Sequence, residues 1–371
     1  MSAPRRSMPA GGRLRVVDLF AGCGGLTQGF VMAQGPRRFE PVAAVELDRH
    51  AAATYAANHG HHVYVGDIRE WLKGDLPEAD LVVGGPPCQG FSALGTQDPA
   101  DPRNSLWEAF VDTVARIHPT VFVIENVPQF LGSVQFERLQ RETRRGRLAG
   151  YEIEPSVLNS ADYGAPQLRR RAVVIGRLRG TSAFGEPEKT TPERNLTVAH
   201  AFAGVPASVT ATEPPDRHEV VDGVSMPGPF SSTDLHITRN FRPLSLERFQ
   251  YIPAGGNRHD LPRRLQAPCW IRHHTGAGDV MGRLRWGSPS VTIRTEFFKP
   301  EKGRYLHPEE DRAITHLEAA RLQGFPDDYR WFGSKSSIAR QIGNAVPIEL
   351  GRSVAEYILN RWPVEGDVAA A

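Results

Sequence analysis

The chain has 371 residues, of which 40% are hydrophobic and 23% charged, and its formal net charge is +2. This composition is ordinary for a globular protein, and the length suits one large domain plus a smaller one, since domains usually have ~100 to 200 residues. No stretch approaches the roughly 18 apolar residues that a membrane-spanning helix needs, so we expect no membrane partner.

Short β-branched segments alternate with helical stretches in the first half of the chain. These predicted strands are residues 16–20, 42–47, 63–65, 81–83, 121–124, 151–158 and 172–178. The alternation predicts an α/β domain with a doubly wound, mainly parallel sheet. Beyond Gly180 the chain is rich in Pro, Gly, Thr and Arg without a sustained period, which predicts an irregular second domain. Helices are expected again at 317–322 and 348–359.

Three cysteines, Cys23, Cys88 and Cys269, are spread unevenly and form no C-x-x-C pair. A disulfide framework is therefore not expected, and a reducing cytoplasm fits best. Cys269 clusters with His273 and His274, but so small a set favours a loop over a metal site. We predict no metal, and we expect Cys23 and Cys269 to be buried apolar residues.

Residues 1–12 carry two arginines without a following apolar run, which is not the pattern of a secretory signal. We expect residues 1–12 and 363–371 to be disordered tails.

A glycine turn, Asp-Leu-Phe-Ala-Gly-Cys-Gly-Gly at 18–25, follows the first predicted strand and opens a helix. An α/β sheet binds nucleotide-like ligands at this place. Thr27 stands where a dinucleotide pattern needs its third glycine, which disfavours a nicotinamide cofactor. Glu46 ends the second strand, where a carboxylate can accept both ribose hydroxyls, and Asp67 ends the third. Together they indicate an adenosine-containing cofactor, although a turn without ligand explains the glycines alone equally well.

Cys88 lies in a Gly- and Pro-rich loop just past the fourth predicted strand, and Glu125 ends the fifth. The carboxyl ends of neighbouring parallel strands meet at one edge of a sheet, so thiol and carboxylate are expected over one substrate. A lone cysteine is more often a buried apolar residue. A thiol hydrolase is an alternative, but no histidine lies nearby in sequence to act as its base.

From Val16 to Leu359 the chain resembles the cytosine-5 DNA methyltransferases of bacterial restriction and modification systems. The resemblance rests on six motifs in family order: residues 18–25, Pro86-Pro87-Cys88-Gln89, Glu125-Asn126-Val127, Gln167-Leu168-Arg169-Arg170-Arg171, 318–326 and 341–347. It implies the S-adenosylmethionine-dependent methyltransferase fold with a second, smaller, irregular target-recognition domain. It also implies that a cytosine flipped out of double-stranded DNA receives the methyl group of S-adenosyl-L-methionine at carbon 5.

The resemblance also implies a role for each matching residue. Cys88 is the nucleophile that attacks carbon 6, Glu125 binds ring nitrogen N3 and the exocyclic amine, and Arg169 and Arg171 contact the cytosine. The implied cofactor residues are Phe20, Ala21, Gly22, Gly24, Gly25, Glu46, Asp67, Ile68, Pro87 and Asn344. The implied DNA-binding residues are Gln89, Ser92, Gln167, Thr292 and Ile293.

The family pattern predicts a discontinuous catalytic and cofactor-binding domain, residues 13–185 plus 337–362, around a target-recognition domain and hinge at 186–336. Arginines recur among aromatics from Arg239 to Arg294, a mixture suited to phosphate and base contacts, although a solvated surface explains it too. The predicted partners are double-stranded DNA and a cognate restriction endonuclease acting on the same site. We expect a monomer on DNA at the nucleoid of a bacterial cytoplasm.

Two alternatives use the same fold. One is an RNA cytosine-5 methyltransferase, as in relatives that modify transfer RNA, but Gly90 and Ser92 stand where those relatives have Pro and Thr. The other is a catalytically inactive, sequence-specific DNA-binding protein. The intact Cys88, Glu125 and arginine run argue against it.

Overall fold

The computed structural model of the protein describes residues 12–87, 104–191, 195–272 and 278–362. The chain divides into two compact units. The first unit comprises the described parts of Met1–Asn159, Arg170–Thr190 and Glu349–Ala371, and the second those of Ser160–Arg169 and Thr191–Ile348. No helix in the described ranges has the length and apolar character to cross a membrane.

Seven strands of the first unit form one sheet, at the places expected from the sequence. They are β1 (Arg13–Leu19), β2 (Arg38–Glu46), β3 (Val63–Val65), β4 (Leu81–Gly84), β5 (Val121–Asn126), β6 (Tyr151–Asn159) and β7 (Arg170–Leu178). Their order is β3-β2-β1-β4-β5-β7-β6, with parallel pairing from β3 to β5 and β7 antiparallel to both of its neighbours. The predicted doubly wound, mainly parallel sheet is confirmed.

Helices connect the parallel strands. They are α1 (Gly25–Met32), α2 (Arg49–His59), α3 (Ile68–Trp71), α4 (Asn104–Ile117) and α5 (Val134–Arg145). Local capping sets where they begin: the Asp48 carboxylate accepts the first free amides of α2, and Ser133 accepts one from α5. Such caps satisfy amides that have no partner within the helix. They also fix where the connection between each strand and the following helix ends.

The core of the first unit lies between the sheet and the α4 and α5 side. β4 is buried along its whole length and β5 nearly so, as expected for central parallel strands covered on both faces. Phe110 of α4 meets Phe122 of β5 edge to face, with ring centroids 6.2 Å apart. Burying each such ring contributes roughly 1.5–3 kcal/mol. The strands β4 and β5, whose carboxyl ends form one edge of the sheet, are therefore held rigidly.

The second unit is built from short elements. They are α6 (Val198–Ala201), β8 (His218–Val221), β9 (Val224–Pro227), β10 (Phe230–Ser231), α7 (Pro243–Gln250), α8 (Pro268–Arg272), β11 (Gly282–Arg283), β12 (Arg304–Leu306), α9 (His316–Leu322), β13 (Arg330–Trp331) and α10 (Lys335–Asn344). The described parts of both units also contain six 3-10 turns. The first turn lies in the first unit and the other five in the second: Pro128–Gly132, Ser160–Tyr163, Thr233–Leu235, Arg258–Asp260, Arg263–Leu265 and Pro300–Lys302. The strands pair only two by two, which agrees with the lack of period in this part of the sequence.

The final helix, α11 (Ile348–Asn360), returns the chain to the first unit. The Gln34 amide donates to Glu356 over 3.2 Å, and the ring of Phe39 lies 6.5 Å from that of Trp362. A Cβ added at Gly35 would lie 3.0 Å from the Leu359 side chain. The α1–β2 side of the sheet is thus completed by the end of the chain.

The expected domain boundaries stay predictions, but the two compact units group three segments differently: 160–169 and 337–348 belong to the second unit and 186–190 to the first. A hydrogen bond links the segments 160–169 and 337–348. The Arg169 guanidinium donates to the Gly343 carbonyl over 3.0 Å and so ties the two segments together. The expected tails at 1–12 and 363–371 lie outside the described residues, apart from Gly12.

Gly176 of β7 provides a test of packing in the sheet, because it is paired with Phe122 of β5. A Cβ at Gly176 would lie 2.1 Å from carbons of the Phe122 ring. We expect Gly176→Ala to lower the free energy of unfolding by about 1–3 kcal/mol, measured by urea denaturation. The exposed Gly132, with nothing within 4 Å of an added Cβ, provides the control. Equal midpoints for Gly176→Ala and Gly132→Ala would contradict this account.

Candidate functional site

The glycine turn after β1 has an unusual backbone. Phe20 adopts φ 58°, and Gly22 and Gly24 also have positive φ values. The left-handed conformation costs a residue with a side chain roughly 1–2 kcal/mol, so its presence at Phe20 indicates a constraint imposed by the surroundings. Gly24 is restricted further, because an added Cβ would lie 2.6 Å from the His59 ring. Burial lowers the pKa of His59 to about 4, which leaves the ring neutral at pH 7.

Glu46, at the end of β2, is held beside this turn by two backbone amides. Its Oε2 accepts the Gly22 N–H over 2.7 Å and its Oε1 accepts the Asp48 N–H over 2.7 Å. Burial raises the pKa of Glu46, although both amide hydrogen bonds favour the carboxylate. The residue remains partly exposed, so its free lone pairs are available to a ligand.

Asp67 caps α3 by accepting the Arg69 N–H over 2.8 Å. The Arg69 guanidinium also hydrogen-bonds to both carboxylate oxygens of Asp67. This hydrogen bonding lowers the pKa of Asp67 to about 2. Ile68 beside it is buried at 3% exposure. Asp67 therefore carries a fixed negative charge that Arg69 already engages.

These side chains fit an adenosine. Phe20 is partly exposed and Leu47 is 69% exposed, which leaves apolar surface beside the Glu46 carboxylate. Apolar surface suits a base, and a carboxylate with free lone pairs suits two ribose hydroxyls. Of the other residues expected at this pocket, Ala21 is buried and Gly25 begins α1.

The cofactor roles expected from the sequence all stay predictions, including those of Pro87 and Asn344. Pro87 is the last described residue before the gap that contains Cys88. Asn344 is exposed at the end of α10, in the second unit.

Behind the turn lies a buried polar chain that sequence reasoning missed. The Thr27 hydroxyl donates to Asp18 over 2.5 Å, lies 3.4 Å from the Tyr55 hydroxyl, and Tyr55 in turn lies 3.3 Å from His62 Nε2. Burial raises the pKa of Asp18 to about 7, while the Thr27 hydrogen bond opposes the rise and the Glu46 charge adds to it. Thr27, first noticed as a missing glycine, thus satisfies a carboxyl group that is 2% exposed.

Glu125 is the last residue but one of β5 and is paired with an arginine from β7. The Arg171 Nε lies 2.8 Å from Glu125 Oε1, and the two side chains are only 15% and 13% exposed. A Cβ at Gly85 would lie 3.2 Å from Glu125 Oε2, so glycine lets the segment after β4 approach the carboxylate closely. Arg171, which the sequence assigned to the cytosine, is thus paired with Glu125, and its contact with the cytosine stays a prediction.

Asn126, next to Glu125, holds the segment that leads to Cys88. Its Nδ2 donates to the Pro86 carbonyl over 2.9 Å, and its Oδ1 accepts the Val127 N–H over 2.9 Å. The side chain is 5% exposed. The motif Glu-Asn-Val was the available signal for this residue, but only its glutamate was assigned a role. Cys88, Gln89 and Ser92 lie outside the described residues.

In the second unit, Gln167 and Arg169 hydrogen-bond to segments that are distant in sequence. The fully buried Gln167 carboxamide accepts the Ile293 N–H over 2.8 Å and donates to Gln323 over 2.8 Å. Arg169, 3% exposed, donates to the Ile293 carbonyl over 2.8 Å as well as to Gly343.

The neighbouring Thr292 hydroxyl donates to the Leu168 carbonyl over 2.8 Å. The motif that carries Gln167 therefore supports the Thr292-Ile293 element. The DNA contacts expected of Gln167, Thr292 and Ile293, and the cytosine contact expected of Arg169, stay predictions.

One expectation about the cysteines is wrong. Cys23 is buried, and burial raises its pKa to about 12, but Cys269 is exposed. The reason is that α8 is a five-residue surface helix with no buried residue among Pro268–Arg272. His273 and His274 lie outside the described residues, and within those residues no group of three potential metal ligands occurs.

Comparison with known proteins finds a DNA methylase family and several methyltransferases. The family described as C-5 cytosine-specific DNA methylase matches residues 14–360. The chain is 35% identical over 360 residues to type II methyltransferase M1.HphI of Haemophilus parahaemolyticus, covering 93% of this chain and 87% of the relative. It is 32% identical over 355 residues to type II methyltransferase M.NgoFVII of Neisseria gonorrhoeae, covering 92% and 86%.

The solved structure of a prophage-encoded E. coli protein, whose description names a DNA modification methyltransferase, also matches. It superimposes with a TM-score of 0.69 at 27% identity and covers 94% of this chain and 99% of that one. Both units of the chain are therefore included in the likeness.

The raised pKa of Asp18 predicts how the stability of the protein depends on pH. An ordinary Asp has a pKa of about 3.9, so between about pH 4 and pH 7 the unfolded carboxyl ionises while the buried one resists. The free energy of unfolding should therefore fall across this window, by up to about 4 kcal/mol. Asp18→Asn removes this loss, so its stability relative to wild type should rise from pH 4 to pH 7 and then level off, measured by urea denaturation.

Thr27→Val provides the matched variant for this test. It deletes the hydrogen bond that opposes the rise in the Asp18 pKa, so it should extend the sensitive window above pH 7. Parallel pH profiles for wild type and Asp18→Asn would contradict the assignment.

Proposed function

Because this chain belongs to the C-5 cytosine-specific DNA methylase family, we propose that Cys88 and Glu125 carry out its reaction on a cytosine rotated out of the DNA duplex. The activity itself follows from the family: the protein is a DNA cytosine-5 methyltransferase that uses S-adenosyl-L-methionine. What is proposed is which residues perform each step.

Carbon 5 of cytosine is a weak nucleophile, so it needs activation. The Cys88 thiolate forms a bond to carbon 6, and the displaced electron pair is shared between carbon 5 and the ring toward N3. Glu125 holds a proton at N3 and binds the exocyclic amine, which stabilises this electron-rich adduct. S-adenosyl-L-methionine supplies the methyl group that carbon 5 accepts. Loss of the carbon 5 proton then expels the Cys88 sulfur and restores the aromatic ring.

The single observation that supports these roles is the arrangement around Glu125. Arg171 fixes the carboxylate at 2.8 Å, and Gly85 lets the segment leading to Cys88 pass beside it. A carboxylate held at low exposure by one guanidinium and facing a glycine is positioned for a ligand rather than for solvent. Such preorganisation is what stabilisation of a developing charge requires.

The cofactor roles rest on the turn after β1. Glu46 would accept the ribose hydroxyls, Phe20 would stack on the adenine, and Asp67 with Ile68 would read the adenine edge. The amide hydrogen bonds that fix the Glu46 carboxylate support the first role. The ion pair of Asp67 with Arg69 implies that Asp67 offers its charge to the adenine amine only in part.

Double-stranded DNA is the substrate class that the family match supports over RNA. Rotating the target base out of the stack costs a few kcal/mol, which phosphate contacts must offset. We propose that Gln89, Ser92, Gln167, Thr292 and Ile293 make contacts near that base. We also propose a monomer on bacterial nucleoid DNA in the cytoplasm, paired with a restriction endonuclease that acts on the same site. The bacterial type II methyltransferases among its relatives support this pairing.

The direct test follows transfer of a radiolabelled methyl group from S-adenosyl-L-methionine to duplex DNA, with transfer RNA as competitor. Bisulfite conversion of a methylated mixed-sequence genome then identifies the modified cytosines. Cys88→Ala should abolish transfer while DNA binding persists, because only the nucleophile is removed. A duplex with 5-fluorocytosine at the target should trap wild type as a stable adduct, since fluorine cannot leave as the proton does. Turnover by Cys88→Ala, or preferred methylation of transfer RNA, would contradict the proposal.

Asn126 offers a prediction about positioning. Asn126→Asp keeps an acceptor for the Val127 amide but loses the donor to the Pro86 carbonyl, whereas Asn126→Ala loses both bonds. If the Pro86 bond positions the loop, both variants should lower kcat by about 10-fold or more, which corresponds to about 1.4 kcal/mol. Cofactor affinity, measured by calorimetry, should change little. An Asn126→Asp enzyme with wild-type kcat would assign the residue to local folding alone.

A further inference from the structure

Arg294 is an exposed arginine that directly follows the Thr292-Ile293 element in the second unit. Among the residues that the structure describes, no hydrogen bond or ion pair engages its guanidinium. Glu296, the acid nearest to it in sequence, is already occupied. Lys299 pairs with one oxygen of that carboxylate, and Lys302 lies 3.4 Å from the other. The Arg294 side chain is therefore accessible to an external ligand.

The backbone that precedes Arg294 is held by buried side chains. The Ile293 N–H donates to the Gln167 carboxamide, and the Ile293 carbonyl accepts from Arg169, each over 2.8 Å. Ile293 itself is 0% exposed. Residues 291–294 belong to no helix or strand, so these side-chain bonds take the place of a regular backbone ladder.

The backbone at and after Arg294 is held as well. The hydroxyl of Tyr305, which is 1% exposed, donates to the Thr292 carbonyl over 3.0 Å and accepts the Arg294 N–H. A Cβ added at Gly343 of α10 would lie 2.4 Å from the Arg294 carbonyl carbon and from the Thr295 nitrogen, so α10 lies directly against this peptide bond. The Arg294 backbone is thus fixed on both sides, while its guanidinium stays free.

Two other exposed arginines of this unit show the contrast. Arg217 donates to the Asp234 carboxylate over 2.7 Å, and Arg264 is paired with Glu247. Either guanidinium would have to give up a carboxylate in order to bind another ligand. Arg294 loses no such partner within the described residues, and a backbone that is already ordered reduces the entropy lost on binding.

A guanidinium has parallel donors, so it suits a ligand with two acceptors side by side. A DNA duplex offers such a pair on its phosphates and on guanine, whose O6 and N7 face the major groove. A phosphate can be reached by a flexible side chain from many directions, whereas a base edge must be met within about 0.5 Å. The fixed backbone of Arg294 therefore favours guanine.

We propose that Arg294 is a specificity-determining residue that binds O6 and N7 of one guanine in the recognition sequence, from the major groove. This inference rests on the proposed function, because it takes the neighbouring Thr292 and Ile293 to lie near the rotated cytosine of a duplex. It adds one base of the sequence that the enzyme recognises and the side chain that reads it.

The test replaces each guanine of the recognition sequence, one at a time, by 7-deazaguanine, which pairs normally but lacks the N7 acceptor. The sequence itself comes from bisulfite conversion of a methylated genome. For wild type, kcat/KM should fall by about 10-fold at one guanine. Arg294→Met should be slower than wild type on the unmodified duplex and insensitive to the analogue at that guanine. A variant as sensitive as wild type would overturn the proposal.

A second measurement exchanges the base pair that contains this guanine. The exchange should cost wild type about 10- to 100-fold in kcat/KM and Arg294→Met much less, so the variant methylates a wider set of sites. Arg217→Met is the matched control, because it removes an exposed arginine of the same unit that is paired with Asp234. It should keep the wild-type preference, and an equal widening in this control would contradict the assignment.

Arg294→Lys distinguishes a base contact from a phosphate contact. Lysine keeps the charge but cannot donate two parallel hydrogen bonds, so this variant should keep the salt dependence of duplex binding and lose the preference for the guanine. Unchanged preference in Arg294→Lys would rule out the two-bond contact. If Arg294→Met instead weakens all duplexes equally and lowers the slope of log K against the logarithm of salt concentration by about 0.9, Arg294 binds a phosphate and the proposal is wrong.

Two controls keep this inference separate from folding and from the proposed function. The melting temperature of Arg294→Met should match that of wild type, because the side chain is exposed. If wild type methylates no duplex DNA, the proposed function fails. If wild type methylates duplex DNA but no guanine of its site is sensitive to 7-deazaguanine, this inference alone fails.

Discussion

The backbone ladder between β4 and β5 is the interaction on which the site depends. It pairs Gly84 with Ile124, so the residues that follow, Gly85 and Glu125, lie close together where β4 ends. Parallel strands deliver their carboxyl ends to one edge, and a slip by one residue would turn the glutamate to the other face. The same sheet places Glu46 at the end of β2. Because β4 and β5 are buried along nearly their whole length, this edge is fixed before any ligand arrives.

The antiparallel strand β7 places the start of one strand beside the carboxyl end of another, which a purely parallel sheet does not do. It runs against β5, which brings the start of β7 to the end of β5 and sets Arg171 against Glu125. Two residues earlier, Arg169 belongs to the other unit and bonds to its backbone. One short stretch of chain therefore pairs with Glu125 in the first unit and with the backbone of the second unit, which explains why the arginines are so closely spaced.

The sequence predicted the sheet and its acidic strand ends because period, β-branched residues and turns are local signals. Glu46 and Glu125 followed from strand order alone. Side-chain partners distant in sequence could not be predicted in this way. The bond from Asn126 to Pro86 spans 40 residues, and nothing local marks it.

One error has a similar cause. Cys269 was expected to be buried, because a lone cysteine usually is, and no local pattern reveals a five-residue surface helix. The segment 160–169 follows β6 along the chain but bonds to the second unit, and nothing local in the sequence marks this either.

The return of α11 to the first unit bears on how the protein emerges from the ribosome. Synthesis proceeds at roughly 5–20 residues per second and domains generally fold as they appear, N-terminal first. Here the surface beside Gly35 and Phe39 waits for Leu359 and Trp362, almost the last described residues. The first unit is therefore incomplete until α11 has been synthesised. A nascent chain that stalls before α11, within the second unit, leaves that apolar surface open to chaperones and proteases.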